Sequence, residues 1–92
     1  MTDNYVYILK CSDQSLYTGY TTNLEKRLKV HNSGKGAKYT RARLPVEYVF
    51  SHKCESKSQA LSLEYKIKQL TRPNKLKLIE GKIKIGDILI ST

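Results

Sequence analysis

The chain of 92 residues is long enough for a single small domain, and its 39% hydrophobic and 27% charged residues are typical of a globular protein. Lys and Arg number 17 against 8 Asp and Glu, which leaves a formal net charge of +9. This excess disfavours an enzyme of neutral metabolites and favours a polyanionic partner, because each phosphate that is neutralised releases counterions.

The sequence carries no signal for a membrane or a secreted protein. Its longest apolar run, residues 5–9, is far shorter than the ~20 residues that a membrane span requires. Residues 1–4 lack the basic start and apolar stretch of a signal peptide. Cys11 and Cys54 are the two cysteines, too few for a disulfide scaffold. We therefore expect a cytoplasmic protein without a membrane role.

The first predicted elements are two strands that form an antiparallel hairpin. Residues 5–10 and 16–21 are rich in aromatic and β-branched residues, and the polar turn cluster 12–15 separates them. Gly19 interrupts the second strand. A glycine inside a strand often marks a bulge or the close approach of another group.

A capping box, with Thr22 as N-cap and Glu25 three residues later, predicts a helix to about residue 31. At ~100° per residue, Arg27 and His31 share one face of this helix with two leucines. A structural interpretation is available, in which Arg27 extends past the leucines and His31 lies at the helix end. A functional interpretation places both side chains in a site.

Residues 32–44 are predicted to form a basic loop. Its segment 35–43 has four cations, no acid and one tyrosine. Scattered lysines are often only a solvated surface, but such a loop can also follow a phosphate backbone and offer a ring for stacking. The candidate nucleic-acid contacts of this loop are Lys35, Lys38, Tyr39, Arg41 and Arg43.

A third strand is predicted over residues 46–51, where apolar and polar residues alternate. A second capping box begins at Ser56 and opens a helix to about residue 70. Glu64 lies within the apolar stripe of that helix, where a carboxylate is costly unless it is paired or bound to metal. Two interpretations stay open, namely a structural ion pair or a metal-binding or acid–base group in a cleft.

Pro73 ends this helix, and Asn74 is the predicted N-cap of a short third helix that ends at Gly81. The elements together predict an α+β fold, a three-stranded antiparallel sheet flanked by helices, in the order strand-strand-helix-strand-helix-helix. We expect one domain over residues 1–82. The Ile-rich tail, residues 83–92, is predicted to form an extra strand or a partner surface.

Common nucleotide and zinc motifs are absent from the sequence. What the chain offers is a set of hairpin tyrosines, an Arg and a His on one helix face, and a Glu on another helix. Phosphodiester hydrolysis needs a cation on the phosphate, a group that positions water, and charge that stabilises the transition state. These residue types can supply all three.

The order of these residues resembles the GIY-YIG nuclease family. Residues 5–7, Tyr-Val-Tyr, and residues 17–19, Tyr-Thr-Gly, resemble its two half-motifs, although Tyr5, Val6 and Thr18 differ from the family's letters. The resemblance covers about residues 4–80 and is strongest to the small standalone bacterial members. The rest of the family's pattern follows in chain order: Arg27, His31, Tyr39, Glu64 and Asn74.

The resemblance implies a small metal-dependent endonuclease that hydrolyses nucleic-acid phosphodiester bonds with little intrinsic sequence specificity. DNA is the expected substrate and Mg²⁺ (or Mn²⁺) the expected cofactor. No recognition domain is visible, and a monomer or weak dimer is expected. The alternative is a non-catalytic DNA- or RNA-binding module that retains the fold, which the charge of +9 supports equally well.

The resemblance also implies roles for the central residues. Glu64 would bind the metal, Tyr17 would act as the general base, and Tyr7 would orient the water or the phosphate. Arg27 would hold the scissile phosphate. Some relatives place a Lys directly after the second half-motif, where this chain has Tyr20.

The remaining roles are contacts around the reacting centre. His31 and Tyr39 would contact phosphate or water, and Asn74 would complete the site by hydrogen bonding. Gly19 would let the backbone or the substrate pass close to the hairpin, and we count it among the nucleic-acid contacts.

Overall fold

The computed structural model describes residues 3–89. It confirms the α+β fold with a three-stranded antiparallel sheet flanked by helices. Two short helices, α2 and α5, add to the predicted order. The elements are β1 (Asn4–Lys10), β2 (Leu16–Thr21), α1 (Leu24–Asn32), α2 (Lys38–Arg41), β3 (Glu47–Cys54), α3 (Lys57–Lys68), α4 (Arg72–Ile79) and α5 (Ile85–Leu89).

The strand order is β2-β1-β3, so the most apolar strand occupies the centre of the sheet. Side chains alternate between the two faces of a strand, and β1 is buried on both. Val6 and Ile8 pack into the core beneath α3, whereas Tyr7 and Leu9 pack into a second core that includes Leu24 of α1. This double burial explains why β1 reads as a continuous apolar run.

The helix starts differ from prediction at two of three positions. Asn23, not Thr22, is the N-cap of α1, and its side chain accepts from the Lys26 N–H at 3.0 Å. Thr71, not Asn74, is the N-cap of α4. Proline is tolerated in a first turn, where its missing N–H needs no partner, so α4 begins before Pro73 rather than after it. The Ser56 cap of α3 is confirmed.

The C-terminal tail is helical where the structure describes it. Residues Ile85–Leu89 form α5, not a strand, and Lys66 Nζ of α3 donates to the Leu89 carbonyl at 3.0 Å. Residues 90–92 of the predicted tail lie outside the described residues. Within residues 3–89, no helix has the length and apolarity that crossing a membrane would require.

Candidate active site

The hydroxyl of Tyr7 lies at the centre of the candidate site. Tyr7 occupies the middle of β1, and its side chain is only 1% exposed. Helix α1 crosses the same face of the sheet and brings two nitrogen groups to this hydroxyl. His31 Nε2 lies 2.9 Å from Tyr7 Oη, and Arg27 Nε donates to the same oxygen at 3.5 Å. The predicted shared face of Arg27 and His31 is therefore directed at a tyrosine of the first half-motif.

Hydrogen bonds assign the tautomer of His31. Its Nδ1 lies 3.1 Å from Thr40 Oγ1, and the Thr40 hydroxyl donates to the Ala37 carbonyl at 2.9 Å. Because the single hydroxyl proton of Thr40 points to Ala37, Thr40 Oγ1 accepts from His31 Nδ1–H. His31 Nε2 then carries the lone pair and accepts from the Tyr7 hydroxyl. A directed chain runs from Tyr7 through His31 and Thr40 to Ala37.

The electrostatics of this hydrogen-bonded chain favour neutral Tyr7 and neutral His31. Burial lowers the pKa of His31 below its usual value, and the positive charge of Arg27 lowers it further. Burial raises the pKa of Tyr7, and the hydrogen bond from Arg27 opposes that rise only in part. At neutral pH, Tyr7 therefore keeps its proton and His31 keeps a free lone pair to accept it.

His31 and Thr40 are both fully buried. The expected direct contact of His31 with phosphate or water is therefore not what this structure shows. His31 instead reaches the site through Tyr7. Thr40 was missed as a site residue, and its signal in the sequence is only its place in the basic loop, nine residues after His31.

Gly19 lies opposite Tyr7 in the β1–β2 register, and the close approach that it permits is that of the Tyr7 phenol. A Cβ at position 19 would overlap the Tyr7 hydroxyl. Gly36 plays a similar part in the basic loop, where a Cβ would lie 2.9 Å from His31 Cα. Both glycines thus allow the Tyr7–His31 pair to form. The Tyr7 phenol alone explains why position 19 is a glycine, without a substrate beside it.

We expect Gly19→Ala to destabilise the protein by about 1–3 kcal/mol, because the added methyl group forces the Tyr7 ring to move within a packed core. Gly86→Ala is the matched control, since a Cβ there meets nothing within 4 Å. Urea unfolding of both variants checks this expectation. Equal stability of the two variants would contradict the close approach.

Tyr17, Tyr39 and Arg43 form a layered group beside the central chain. The Tyr17 and Tyr39 rings are stacked with centroids 6.0 Å apart, and Arg43 Cζ lies 4.0 Å from the Tyr39 ring centroid. Arg43 also donates to Asp13 at 3.0 Å and to the Tyr39 carbonyl at 2.7 Å. Arg43 is thus fixed in place as part of the fold, and the Tyr39 ring already has stacking partners.

Glu64 reaches the same region from α3, on the other side of the sheet. Its side chain is 19% exposed, and Lys68 Nζ lies 3.4 Å from Glu64 Oε2. The Glu64 carboxylate is also close enough to contribute to the raised pKa of Tyr7. The ion pair that was one interpretation of Glu64 is therefore present, and the negative charge of Glu64 also contributes to the raised pKa of Tyr7.

Comparison with known proteins identifies the family. The family model of the GIY-YIG catalytic domain matches residues 3–77. The chain belongs to the GIY-YIG family. A UPF0213 protein of Clostridium perfringens is 63% identical over 79 residues, which cover 86% of this chain and 85% of that protein. A UPF0213 protein of Oceanobacillus iheyensis is 64% identical over 77 residues, 84% of this chain and 90% of that protein.

Two solved structures share the fold. The solution structure of a UPF0213 protein from Bacillus halodurans has 45% identity and a TM-score of 0.58, and covers 96% of this chain and 94% of that chain. A solution structure of a protein from E. faecalis has 43% identity and a TM-score of 0.62, with 89% and 88% covered. The printed names of these relatives assign them no activity.

In this GIY-YIG domain, the other sequence candidates lie at the periphery. Asn74 is half-buried in the first turn of α4, where its N–H is 3.4 Å from Thr71 Oγ1. Lys35 and Lys38 are exposed on the basic loop, and Arg41 Nε donates to the Gly36 carbonyl at 3.2 Å. The fold therefore brings Tyr7, His31 and Thr40 together, whereas Lys35 and Lys38 of the basic loop stay exposed.

The donors of this GIY-YIG site suit a hard divalent cation. No group of three or more His, Cys, Asp or Glu side chains is found within the described part of the chain, so nothing there resembles a zinc site. Mg²⁺ is often held by one or two carboxylates, with water and substrate phosphate as its other ligands. Glu64 provides one such carboxylate on α3.

Proposed function

We propose that this GIY-YIG domain is a metal-dependent endonuclease that hydrolyses nucleic-acid phosphodiester bonds, with DNA as its substrate. The observation that carries the proposal is the directed chain from the Tyr7 hydroxyl to His31 and Thr40, beside the Arg27 guanidinium. A purely nucleic-acid-binding module needs surface cations, but it has no need of a buried tyrosine whose proton is held by a neutral histidine.

Arg27 is the ligand for the scissile phosphate in this proposal. Its side chain is half-buried, and no carboxylate lies within 4.0 Å of it among residues 3–89. A guanidinium can donate two parallel hydrogen bonds to a phosphate and offset the charge that grows in the transition state. Its contact with Tyr7 Oη supports a position for that phosphate next to the phenol.

Tyr7, rather than Tyr17, is the general base that the geometry favours. Because Tyr7 is only 1% exposed, movement of the half-buried Arg27 side chain must first uncover its oxygen. The Tyr7 oxygen then takes a proton from the attacking water while its own proton passes to His31 Nε2. His31 becomes positively charged, and the Thr40 hydroxyl keeps its ring in place. The attacking water forms the new P–O bond. The leaving oxygen departs with the electron pair of its own P–O bond and takes a proton from solvent. Tyr17 packs against His31 and acts as a wall of the site.

Glu64 would hold the metal, Mg²⁺ or Mn²⁺. When bound, such a cation neutralises charge on the phosphate oxygens and stabilises the leaving oxygen. The Lys68 ammonium now pairs with the same carboxylate. Lys68 would lose its partner whenever Glu64 ligates a cation. Asn74 and Tyr39 complete the rim of the site in this proposal.

We further propose that the protein acts in the cytoplasm as a monomer or weak dimer. Lys35, Lys38 and Arg41 would contact the strand outside the reacting centre, where their charge attracts phosphates without reading sequence. Part of the tail, α5, remains available as a partner surface.

Incubation of the pure protein with single-stranded, duplex and branched DNA in Mg²⁺ or Mn²⁺ tests the proposed activity. Arg27→Ala should lower the cleavage rate by about 10²–10³-fold, which is typical for loss of one transition-state donor. Lys26→Ala, the neighbouring exposed cation of α1, is the matched control. Salt-dependent binding without cleavage in any divalent cation would instead identify a binding module.

A further inference from the structure

A cleft lies beside Tyr17 at the β2 edge of the sheet. Its volume is about 220 Å³. Both β2 and the C-terminal half of α3 contribute to its walls, and the basic loop and α4 close it. The residues that line it are Leu16, Tyr17, Thr18, Tyr39, Lys68 and Lys75.

Thr18 brings an unusual group to this cleft. Thr18 is only 4% exposed, and its Oγ1 is buried without a hydrogen-bond partner in the described structure. Such a hydroxyl is costly, and native proteins retain few of them without a reason. Thr18 lines the cleft, and a rotation of its side chain toward the cleft would let a bound ligand provide the acceptor that the hydroxyl lacks.

Two lysines make the cleft positive. Lys75 is half-buried and has no carboxylate within 4.0 Å among residues 3–89. Lys68 has Glu64 as its one ion-pair partner in the same part of the chain. No acidic residue lines the cleft. Two ammonium groups without a lining acid give the cleft a positive potential, so this arrangement is suited to an anion.

We propose that this cleft is a phosphate subsite, which binds the phosphate of a single nucleic-acid strand next to the one that is cleaved. The Lys68 and Lys75 ammonium groups and the Thr18 hydroxyl are its donors. Its position next to the cleaved bond rests on the proposed nuclease function, whereas its preference for phosphate does not. The cleft accommodates one phosphodiester group but not a duplex, so the subsite favours single-stranded or unpaired ends.

Two residues of the subsite also contact residues of the proposed reacting centre. Tyr17 lines the cleft, and its ring centroid lies 5.7 Å from that of His31. Lys68 lines the cleft and pairs with Glu64. A strand that crosses Tyr17 can therefore present consecutive phosphates to Arg27 and to the lysines.

Binding of a fluorescein-labelled oligothymidylate in EDTA tests the subsite without any cleavage. Thr18→Val replaces the hydroxyl with a methyl group of the same shape. We expect the variant to be at least as stable in thermal unfolding as the wild type, yet to bind the strand about tenfold more weakly, as expected for one lost hydrogen bond to a charged group. Unchanged affinity would overturn the role of Thr18.

Lys75→Met provides the electrostatic test. It should reduce the slope of log affinity against log salt by about 0.7, the value for one phosphate contact to a single strand. Lys77→Met removes the same charge from an exposed position of α4 that does not line the cleft. Equal slopes for these two variants would overturn the subsite.

Two further arms separate the possible outcomes. Binding of inorganic phosphate that Lys75→Met abolishes, with strand affinity and salt slope equal in Lys75→Met and Lys77→Met, would show a free-phosphate site and overturn the strand subsite. Weaker binding by Thr18→Val and Lys75→Met in a protein that cleaves no DNA would support the subsite and contradict the nuclease. Cleavage by the wild type, with both variants binding normally, would leave the nuclease standing and overturn the subsite.

Discussion

Glu64→Gln should abolish Mg²⁺-dependent cleavage, with a loss of at least ~10³-fold, while the protein stays folded. A catalytic metal contributes several kcal/mol of transition-state stabilisation, and about 4 kcal/mol corresponds to a rate loss of this size. The amide of Gln keeps the shape of the side chain but lacks the charge that holds a hard cation. Cleavage of single-stranded DNA under single-turnover conditions measures the loss.

The fold should tolerate this change because Gln keeps the shape of the partly buried Glu64 side chain, and the half-exposed Lys68 ammonium can be solvated without its partner. An exposed i,i+4 pair contributes only ~0.3–0.5 kcal/mol, and the partly buried position of Glu64 changes that figure modestly. Glu25→Gln is the matched control, since Glu25 pairs with Lys29 in the same i,i+4 geometry on α1. Its cleavage rate should equal that of the wild type.

Binding of Mn²⁺, followed by electron paramagnetic resonance, gives a readout that does not depend on catalysis. The wild type and Glu25→Gln should bind Mn²⁺ in the presence of an uncleaved phosphorothioate strand, and Glu64→Gln should not. Equal Mn²⁺ binding and equal cleavage by all three proteins would exclude Glu64 as the metal ligand.

The sheet was predictable because its physical causes are local. The run from Tyr5 to Leu9 is apolar on both faces, and only the central strand of a three-stranded sheet is buried on both faces. The two short helices were not predictable in the same way. Four residues of α2 form one turn, which the packing of the basic loop on His31 stabilises more than its own sequence does.

The helix starts show the limit of motif reading. Thr22 and Asn23 are both good N-caps, as are Thr71 and Asn74, and the sequence alone ranks them poorly. At α1 the extended backbone of Asn23 places its amide oxygen against the Lys26 N–H. The predicted strand in the tail was wrong for a different reason. Alternating Ile and Lys residues predict a strand, but the segment forms α5 and packs on α3 instead of pairing with the sheet.

The candidate site was predictable as a set of residues but not as a network. Chain order placed Tyr7, Arg27 and His31 in the family pattern, but no periodicity could join Tyr7 to His31, twenty-four residues later. Thr18 and Thr40 have no sequence signal of their own, because only burial and partner geometry separate them from other threonines. The general base was assigned to Tyr17 for the same reason, and the geometry favours Tyr7.

Tyr7→Phe should lower the cleavage rate by about 10²–10⁴-fold, the usual contribution of general acid–base catalysis. Phe keeps the ring in its place against Tyr48, with ring centroids now 5.2 Å apart, but removes the oxygen that accepts the proton of water. Tyr17→Phe should have a much smaller effect, because Tyr17 serves as a wall. Rates for both variants under single-turnover conditions separate the two phenols.

Tyr20→Phe is the matched control for loss of a phenol. Tyr20 lies on the same hairpin but packs toward α3, and its hydroxyl donates to Asn4 Oδ1 at 2.7 Å. Its removal should leave cleavage unchanged. Thermal unfolding of all three variants must show a folded protein, because Tyr7→Phe also leaves His31 Nε2 without a donor, at a cost of about 1–3 kcal/mol.

The pH profile distinguishes a proton relay from a merely structural Tyr7–His31 pair. The pKa of His31 is lowered from 6.5 by burial, so His31 is neutral above that pH and becomes protonated only at lower pH. Protonated His31 cannot accept the Tyr7 proton, so wild-type cleavage should fall on the acid side of pH 6.5. The free energy of unfolding should fall over the same range, because the unfolded chain binds the proton more tightly.

The residual activity of Tyr7→Phe should lack this acid limb, since the variant has no proton to pass to His31. If Tyr7→Phe kept the acid limb and Tyr17→Phe lost it, the general base would be Tyr17, as the sequence first predicted. A rate loss equal in both variants, with the acid limb unchanged, would show that the buried chain only supports the fold and that the base lies elsewhere.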